Sequence, residues 1–179
     1  MYGGSSSGGV LFQMDTNGSG YSVLRHFIYA SGSSPGSALV SAGSALYGTT
    51  LIGGTSSGGV VFRIQTNGTG YTALKNLTAT NGTYSQGGVI LDGGTLHGVG
   101  RYGGSALVGA VFKVGTNGTG FVTTKSFNYS DTVYPAAGVV TAGANLCGTT
   151  LSGGSGLGAV YRIGTNGTGG FVMSAGNNT

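Results

Sequence analysis

Residues 60–71 read Val60-Val61-Phe62-Arg63-Ile64-Gln65-Thr66-Asn67-Gly68-Thr69-Gly70-Tyr71. An apolar run of strand character ends in Asn-Gly, and a second run starts at an aromatic. Asn-Gly between two such runs is the strongest short-range hairpin signal, because a type I′ turn asks for positive φ at both central residues. The phrase returns at Thr16, Asn17, Gly18, Ser19, Gly20, at Thr116 to Gly120 and at Thr165 to Gly169. Each copy follows a short apolar run (Leu11 and Phe12; Val111, Phe112 and Val114; Val160, Tyr161 and Ile163) and precedes Tyr21, Phe121 or Phe171. Four hairpins are therefore predicted.

Outward from the hairpins, the copies align with a period of about 50 residues, in the range that marks propellers, solenoids or arrays. The third copy is the clearest. Gly88 to Asp92 forms a short run, Gly93 and Gly94 turn it, and Thr95 to Gly100 runs back. A glycine-rich loop from Arg101 to Val108 leads into Gly109 to Val114, and the Asn117-Gly118 turn feeds a fourth strand up to Phe127. Four short antiparallel strands per repeat are the content of one propeller blade. The expected fold is all-β: one domain over 1–179, in units of approximately 1–37, 38–87, 88–137 and 138–179, β-propeller-like and four-bladed, with a β-solenoid-like stack as the runner-up. Phe12, Phe62, Phe112 and Tyr161 are expected in the layers between sheets.

The chain reads as starting in mid-unit, with Met1 and Tyr2 expected at the places of Leu46 and Tyr47, so the first unit is expected to lack its opening strand and the sequence reads as a mature or partial chain. The tail from Ser174 to Thr179 is short and polar, poorly suited to supply that strand. An open sheet edge accepts pairing from another chain. A neighbouring copy is the expected donor.

Glycine makes up 41 of 179 residues, with two prolines and no every-third-residue period, which excludes collagen. The Val, Ile, Leu and Tyr content is too high for a disordered linker. Charged residues are 6%, against roughly 25% in ordinary domains. Glycan or neighbouring copies are expected to cover such a surface. The formal charge of +4 is scattered: Arg63, Lys113 and Arg162 share one repeat position, Arg25, Lys75 and Lys125 another, and Arg101 stands apart. Nucleic-acid binding asks for a basic cluster, so no nucleic-acid partner is expected. No apolar run approaches the ~20 residues of a membrane span.

An active site needs convergent ionisable groups. The carboxylates Asp15, Asp92 and Asp131 occupy three different repeat positions, and His26 and His97 are unrepeated. Cys147 stands alone and, expected at the position of Tyr2, Tyr47 and His97, reads as a packed strand residue. No ligand spacing for a metal and no phosphate-binding loop is present. The expectation is no enzyme, no catalytic residue, no metal and no cofactor.

Eight of the ten asparagines open Asn-x-Ser/Thr: Asn17, Asn67, Asn76, Asn81, Asn117, Asn128, Asn166 and Asn177. This is the acceptor sequence for N-linked glycan. Turn formation alone accounts for Asn-Gly in the repeated phrase, but Asn76, Asn81 and Asn128 fall outside that phrase. The recurring aromatics Tyr21, Tyr71, Phe121 and Phe171 suggest a second reading, a lectin-like module that stacks one sugar per blade. Packing between sheets is the competing role for the same rings.

Leu46-Tyr47-Gly48-Thr49-Thr50, then Gly53-Gly54, Gly59-Val60-Val61-Phe62-Arg63-Ile64 and Thr66 to Tyr71 with Leu74 resemble the GloVer tandem repeat of secreted, surface-anchored proteins. That repeat is typified by Leu-Tyr-Gly-Thr-Thr, a glycine-rich loop, Val-Phe-Lys and an Asp-Gly turn. The resemblance extends over essentially the whole chain. It implies a propeller or related β-repeat, an extracellular or cell-surface setting and no catalytic residues. Asn here replaces the usual Asp of the turn, which keeps the turn and adds the glycan acceptor. Together these readings point to a glycosylated structural protein that self-assembles into a filament or surface matrix, its partners being other copies of itself and covalent glycan.

Overall fold

The computed structural model describes residues 3–130, 132–153 and 158–174, without the side chains of 171–174. Its strands form four antiparallel sheets along the chain. Sheet one pairs β1 (Val10–Gln13) with β2 (Ser22–His26). Sheet two holds β3 (Val40–Ala42), β4 (Ala45–Thr49), β5 (Val60–Gln65) and β6 (Thr72–Asn76) in chain order. Sheet three repeats it with β7 (Val89–Asp92), β8 (Thr95–Gly100), β9 (Ala110–Gly115) and β10 (Val122–Ser126). Sheet four holds β11 (Thr132–Pro135), β12 (Val140–Ala142), β13 (Asn145–Gly153), β14 (Ala159–Gly164) and β15 (Phe171–Ser174). Among the described residues the one helical element is a 3-10 turn, Tyr29–Ser31.

The repeated phrase makes a hairpin four times, but the turn is not type I′. Gly68 N–H donates to the Gln65 carbonyl at 2.9 Å and Gln65 N–H donates to the Thr69 carbonyl at 2.9 Å. Gly68 takes φ +83° while Asn67 stays out of the left-handed region. This is a type I turn closed by a left-handed glycine, the three-residue hairpin loop. The asparagine side chain explains the difference: its Oδ1 accepts from the backbone N–H two residues on, an Asx turn that holds Asn at ordinary φ and leaves the left-handed position to glycine.

Alternation along the third strand of each unit builds the interior. On β5, Phe62 and Ile64 face sheet one, where Leu11 and Phe27 meet them, while Val61 faces sheet three and packs in one cluster with Phe112 and Val114. On β9, Val111 faces sheet four and joins Phe127, Tyr161 and Ile163. Successive side chains on a strand point to opposite faces, so each inner sheet contributes to two apolar layers. Room for the large ring is made across the strand pair, since Gly48, Gly98 and Gly148 lie opposite Phe62, Phe112 and Tyr161.

Consecutive sheets also interlock at the hairpins. Leu24, Leu74 and Thr124 are the extra residues where the pairing registers of β2, β6 and β10 shift. A bulge bends its strand and turns its backbone outward. Each bulge receives the Asn-Gly turn of the next repeat: a Cβ on Gly68 would sit 2.7 Å from the Leu24 carbonyl oxygen, and Gly118 and Gly167 lie likewise against Leu74 and Thr124. Gly18, in the first turn, meets nothing.

Three further expectations change. Sheet four has five strands, because β11 pairs the far half of β13; the corresponding segments of sheets two and three make only the single bridges Ser33 to Ile52 and Thr83 to Tyr102. Phe12 is not in a layer between sheets: it is 51% exposed, whereas Phe62 and Phe112 are fully buried. The start of the first unit also shifts: Gly9 N–H donates to the Gly3 carbonyl as Gly59 does to Gly53, so Met1 and Tyr2 match Leu51 and Ile52 rather than Leu46 and Tyr47; these two, Asp131 and the tail after Ser174 lie outside the described residues.

Candidate functional site

The four hairpin turns present the same local arrangement. In each, the asparagine Oδ1 accepts the backbone N–H of Ser19, Thr69, Thr119 or Thr168 at 3.0 Å and the hydroxyl of that residue at 2.8 Å. Asn17, Asn67, Asn117 and Asn166 are all exposed. The serine or threonine of the acceptor sequence thus engages the amide through its oxygen, and these two bonds leave out Nδ2, the atom that carries N-linked glycan. Asn76 is more committed: its Oδ1 accepts Thr55 N–H at 2.9 Å, a loop-holding role taken by His26 Nδ1 for Ser5 and by Ser126 Oγ for Ser105. Asn81 accepts Thr78 N–H at 2.8 Å, and Asn128 accepts both Ser130 N–H and its hydroxyl. Asn177 lies outside the described residues.

Two of the recurring aromatics are covered by the preceding sheet. The Tyr71 ring stacks on Phe62 with centroids 5.6 Å apart, its hydroxyl donates to the Ser31 carbonyl, and Arg25 lies over its face. Burial pushes the Tyr71 phenol up to about 12, opposed by the Arg25 charge. Phe121 stacks on Phe112 at 5.7 Å with the Lys75 ammonium 4.4 Å from its centroid. The two cations Arg25 and Lys75 share a repeat position, so cation over aromatic is a device that joins neighbouring sheets. Tyr21 differs. It is exposed and touches Phe12, 5.5 Å away. Phe171 pairs with Arg162, the register place of Ser22, Thr72 and Val122, one residue beyond the other aromatics; its side chain is outside the described residues.

Among the described residues no three His, Cys, Asp or Glu side chains lie together as a metal site. Asp15 accepts the Ser19 hydroxyl inside the first turn. His97 is buried, and that burial holds its pKa below the usual imidazole value, with Asp92 pulling it up and Lys113 down. Cys147 is half-buried on β13, opposite Arg162.

The outer faces of the first and last sheets form a matched pair. Phe12, Met14 and Tyr21 are exposed, whereas their counterparts Phe62, Ile64 and Tyr71 pack onto sheet one and Phe112, Val114 and Phe121 pack onto sheet two. At the other end Val140 and Val160 are exposed. Their counterparts Val40 and Val61 lie under sheet three, and Ile90 and Val111 under sheet four. A hollow of about 300 Å³ opens on this face between Val140, Cys147, Gly148 and Val160. Sequence pattern could not reveal the open faces, because the exposed and buried copies carry the same residue types.

The geometry defines an all-β tandem-repeat protein, in which each inner sheet buries one face against the sheet before it and the other against the sheet after it. The chain belongs to the Gloeobacter/Verrucomicrobia repeat family, whose family model matches residues 1–175. No curated protein matches it. Among solved structures it is similar to a chain of "Crystal structure of the tricorn protease", with a TM-score of 0.55 and 11% identity over 95% of this chain. It spans 15% of that chain's length, and the likeness concerns the fold alone. Among the described residues no helix is long and apolar enough to cross a membrane.

Proposed function

We propose that this chain is a structural, non-enzymatic protein of the cell surface or extracellular space. Its sheets act as blades of a β-propeller-like stack, its copies assemble through their low-charge end faces, and its outer turns carry N-linked glycan. The observation that carries this reading is the matched pair of open faces. Phe12, Met14 and Tyr21 stand where, one repeat later, Phe62, Ile64 and Tyr71 seat on a face like the one Val140 and Val160 leave open. A heterologous contact of this kind propagates into a filament when its rotation does not close a ring. Strand pairing would add to it: among the described residues β1 pairs only with β2, and a neighbouring copy could supply a further strand.

Glycan on Asn17, Asn67, Asn117 and Asn166 would sit at equivalent places on successive sheets, keeping an assembly with few charges hydrated. The lectin-like alternative draws no support at Tyr71 and Phe121, whose faces hold Arg25 and Lys75.

The test is sedimentation and electron microscopy of the chain over a concentration series. Wild type is expected to form linear oligomers. Phe12→Asp and Val140→Asp, one on each face, are each expected to stay monomeric, and a mixture of the two to yield dimers through the faces each leaves intact. Wild type that remains monomeric at every concentration, or variants that assemble like it, would overturn the reading. Expression in a glycosylating secretory host, with and without enzymatic removal of N-glycan, tests the asparagines by mass.

A further inference from the structure

A second set of aromatics lies at the opposite end of the strands from the Asn-Gly turns. Tyr84 is in the connection from β6 to β7, Tyr102 follows β8, and Tyr134 is in β11. The Tyr102 ring stands edge to face with both of the others, at centroid distances of 5.5 Å to Tyr84 and 5.6 Å to Tyr134. Tyr129, 73% exposed, lies close enough to the Tyr134 phenol to hold its pKa above the usual value. Tyr84 and Tyr102 are also exposed. This is a run of phenols in which Tyr84, Tyr102 and Tyr129 are exposed and Tyr134 is half-buried against the core.

The backbone gives no reason for tyrosine there. Tyr84 and Tyr134 take φ +54° and +58°, the left-handed region, as does Ser34 at the same position of the first connection. Glycine or asparagine suits that conformation better than a residue with a bulky side chain. Polar groups border the run. The Arg101 guanidinium lies 5.5 Å from the Tyr102 centroid and donates to Gln86 Oε1 at 3.4 Å, while its buried Nε has no partner. Flat apolar faces beside phenol hydroxyls, a carboxamide and a planar donor match a hexopyranose, whose C–H face stacks on a ring while its hydroxyls both donate and accept. A single cation makes the patch a poor nucleic-acid platform, which needs a positive groove as well as rings.

We propose that Tyr84, Tyr102, Tyr129 and Tyr134, with Arg101 and Gln86 at the rim, form a binding site for a hexopyranose polysaccharide. The site is separate from both open end faces and from the four Asn-Gly hairpin turns, although the acceptor asparagines Asn81 and Asn128 adjoin it, so it stands whether or not the chain assembles.

The test is native affinity electrophoresis through gels containing hydroxyethylcellulose, galactomannan or polygalacturonate, on the assembly-blocked Phe12→Asp chain and on wild type. Retardation is expected in at least one gel; the uncharged and uronate gels show whether Arg101 serves a neutral sugar or a carboxylate. Tyr102→Ala is expected to weaken binding about tenfold, the scale of one aromatic contact. Tyr84→Gly is the control for folding: glycine takes the left-handed conformation freely, so the variant keeps or raises its melting temperature while losing retardation. No retardation in any gel, equal retardation of both variants and the parent, or binding of an oligothymidylate in place of the polysaccharides would overturn the proposal.

Discussion

The guanidinium carbon of Arg25, on the last strand of sheet one, lies 3.5 Å from the centroid of the Tyr71 ring of sheet two. The same side chain donates to Ser31 Oγ at 3.1 Å, and Tyr71 donates to the Ser31 carbonyl, so three residues tie two repeats together. A partly desolvated cation–π pair is worth about 1–2 kcal/mol. Arg25→Ala is therefore expected to cost about that much in denaturant unfolding, and Arg25→Lys less. An Arg25→Ala variant as stable as wild type would remove this tie from the account.

High pH should act through the same tyrosine. The Tyr71 phenol is held near 12 in the folded state, against about 10 in an unfolded chain. Between these values the unfolded chain loses its proton while the folded chain keeps it, so the unfolded state binds fewer protons and stability falls as pH rises. The contribution is whole below pH 10 and lost by about pH 12. Tyr71→Phe should flatten this decline without abolishing it, because burial raises the Tyr161 phenol as well. Chemical unfolding at intervals across that range reads the slope.

Phe12 and Phe62 occupy one repeat position and should respond in opposite ways. Phe62 is fully buried between Phe27 and Tyr71, so Phe62→Ala is expected to cost ~3–5 kcal/mol. Phe12 is half exposed, so Phe12→Ala should change the stability of the monomer by about 1 kcal/mol or less yet reduce assembly. Measuring unfolding at low concentration and sedimentation at high concentration separates the two effects.

The four hairpins were legible because Asn-Gly between strand-like runs has few other uses, and the period followed from their spacing. The turn type was not. It depends on where Oδ1 of Asn67 finds its donor, and Thr69, a residue also suited to a strand, supplies it through N–H and hydroxyl together. The exposure of Phe12 was hidden for a different reason: what buries Phe62 is a sheet made by other residues, and no local pattern records whether that sheet is there. The aromatics Tyr71 and Phe121 could be read as platforms only while Arg25 and Lys75, in the preceding repeats, were not known to lie on them. The fifth strand of sheet four was missed because Thr132 to Pro135 is short and ends in proline, which is tolerated only at a sheet edge, the place β11 occupies.

The turn asparagines permit a clean separation of glycan from fold. Asn67→Asp removes the acceptor sequence while keeping an oxygen to receive Thr69 N–H and hydroxyl; its stability should stay within about 0.5 kcal/mol of wild type. Asn67→Ala removes both hydrogen bonds and should cost about 1 kcal/mol. In a glycosylating host both should lose one glycan from the mass. Equal stability of the two variants would mean that the Asx turn contributes nothing, leaving Gly68 alone to set the hairpin.

Gly98 lies opposite Phe112, and a Cβ there would sit 2.5 Å from the ring. Its backbone is not in the left-handed region, so the requirement for glycine is one of space alone. Gly98→Ala must push the Phe112 ring into Val89 or deeper into the layer shared with sheet two, and overpacking of this kind costs ~1–3 kcal/mol. A compensating Phe112→Leu should recover part of the loss, because the smaller side chain yields the space the new methyl takes. Gly43→Ala, at a turn glycine whose Cβ would meet nothing but whose φ is +56°, should cost about 1 kcal/mol and gain nothing from Phe112→Leu. A double-mutant cycle by denaturant unfolding distinguishes the two: coupling is expected between Gly98 and Phe112, and none between Gly43 and Phe112.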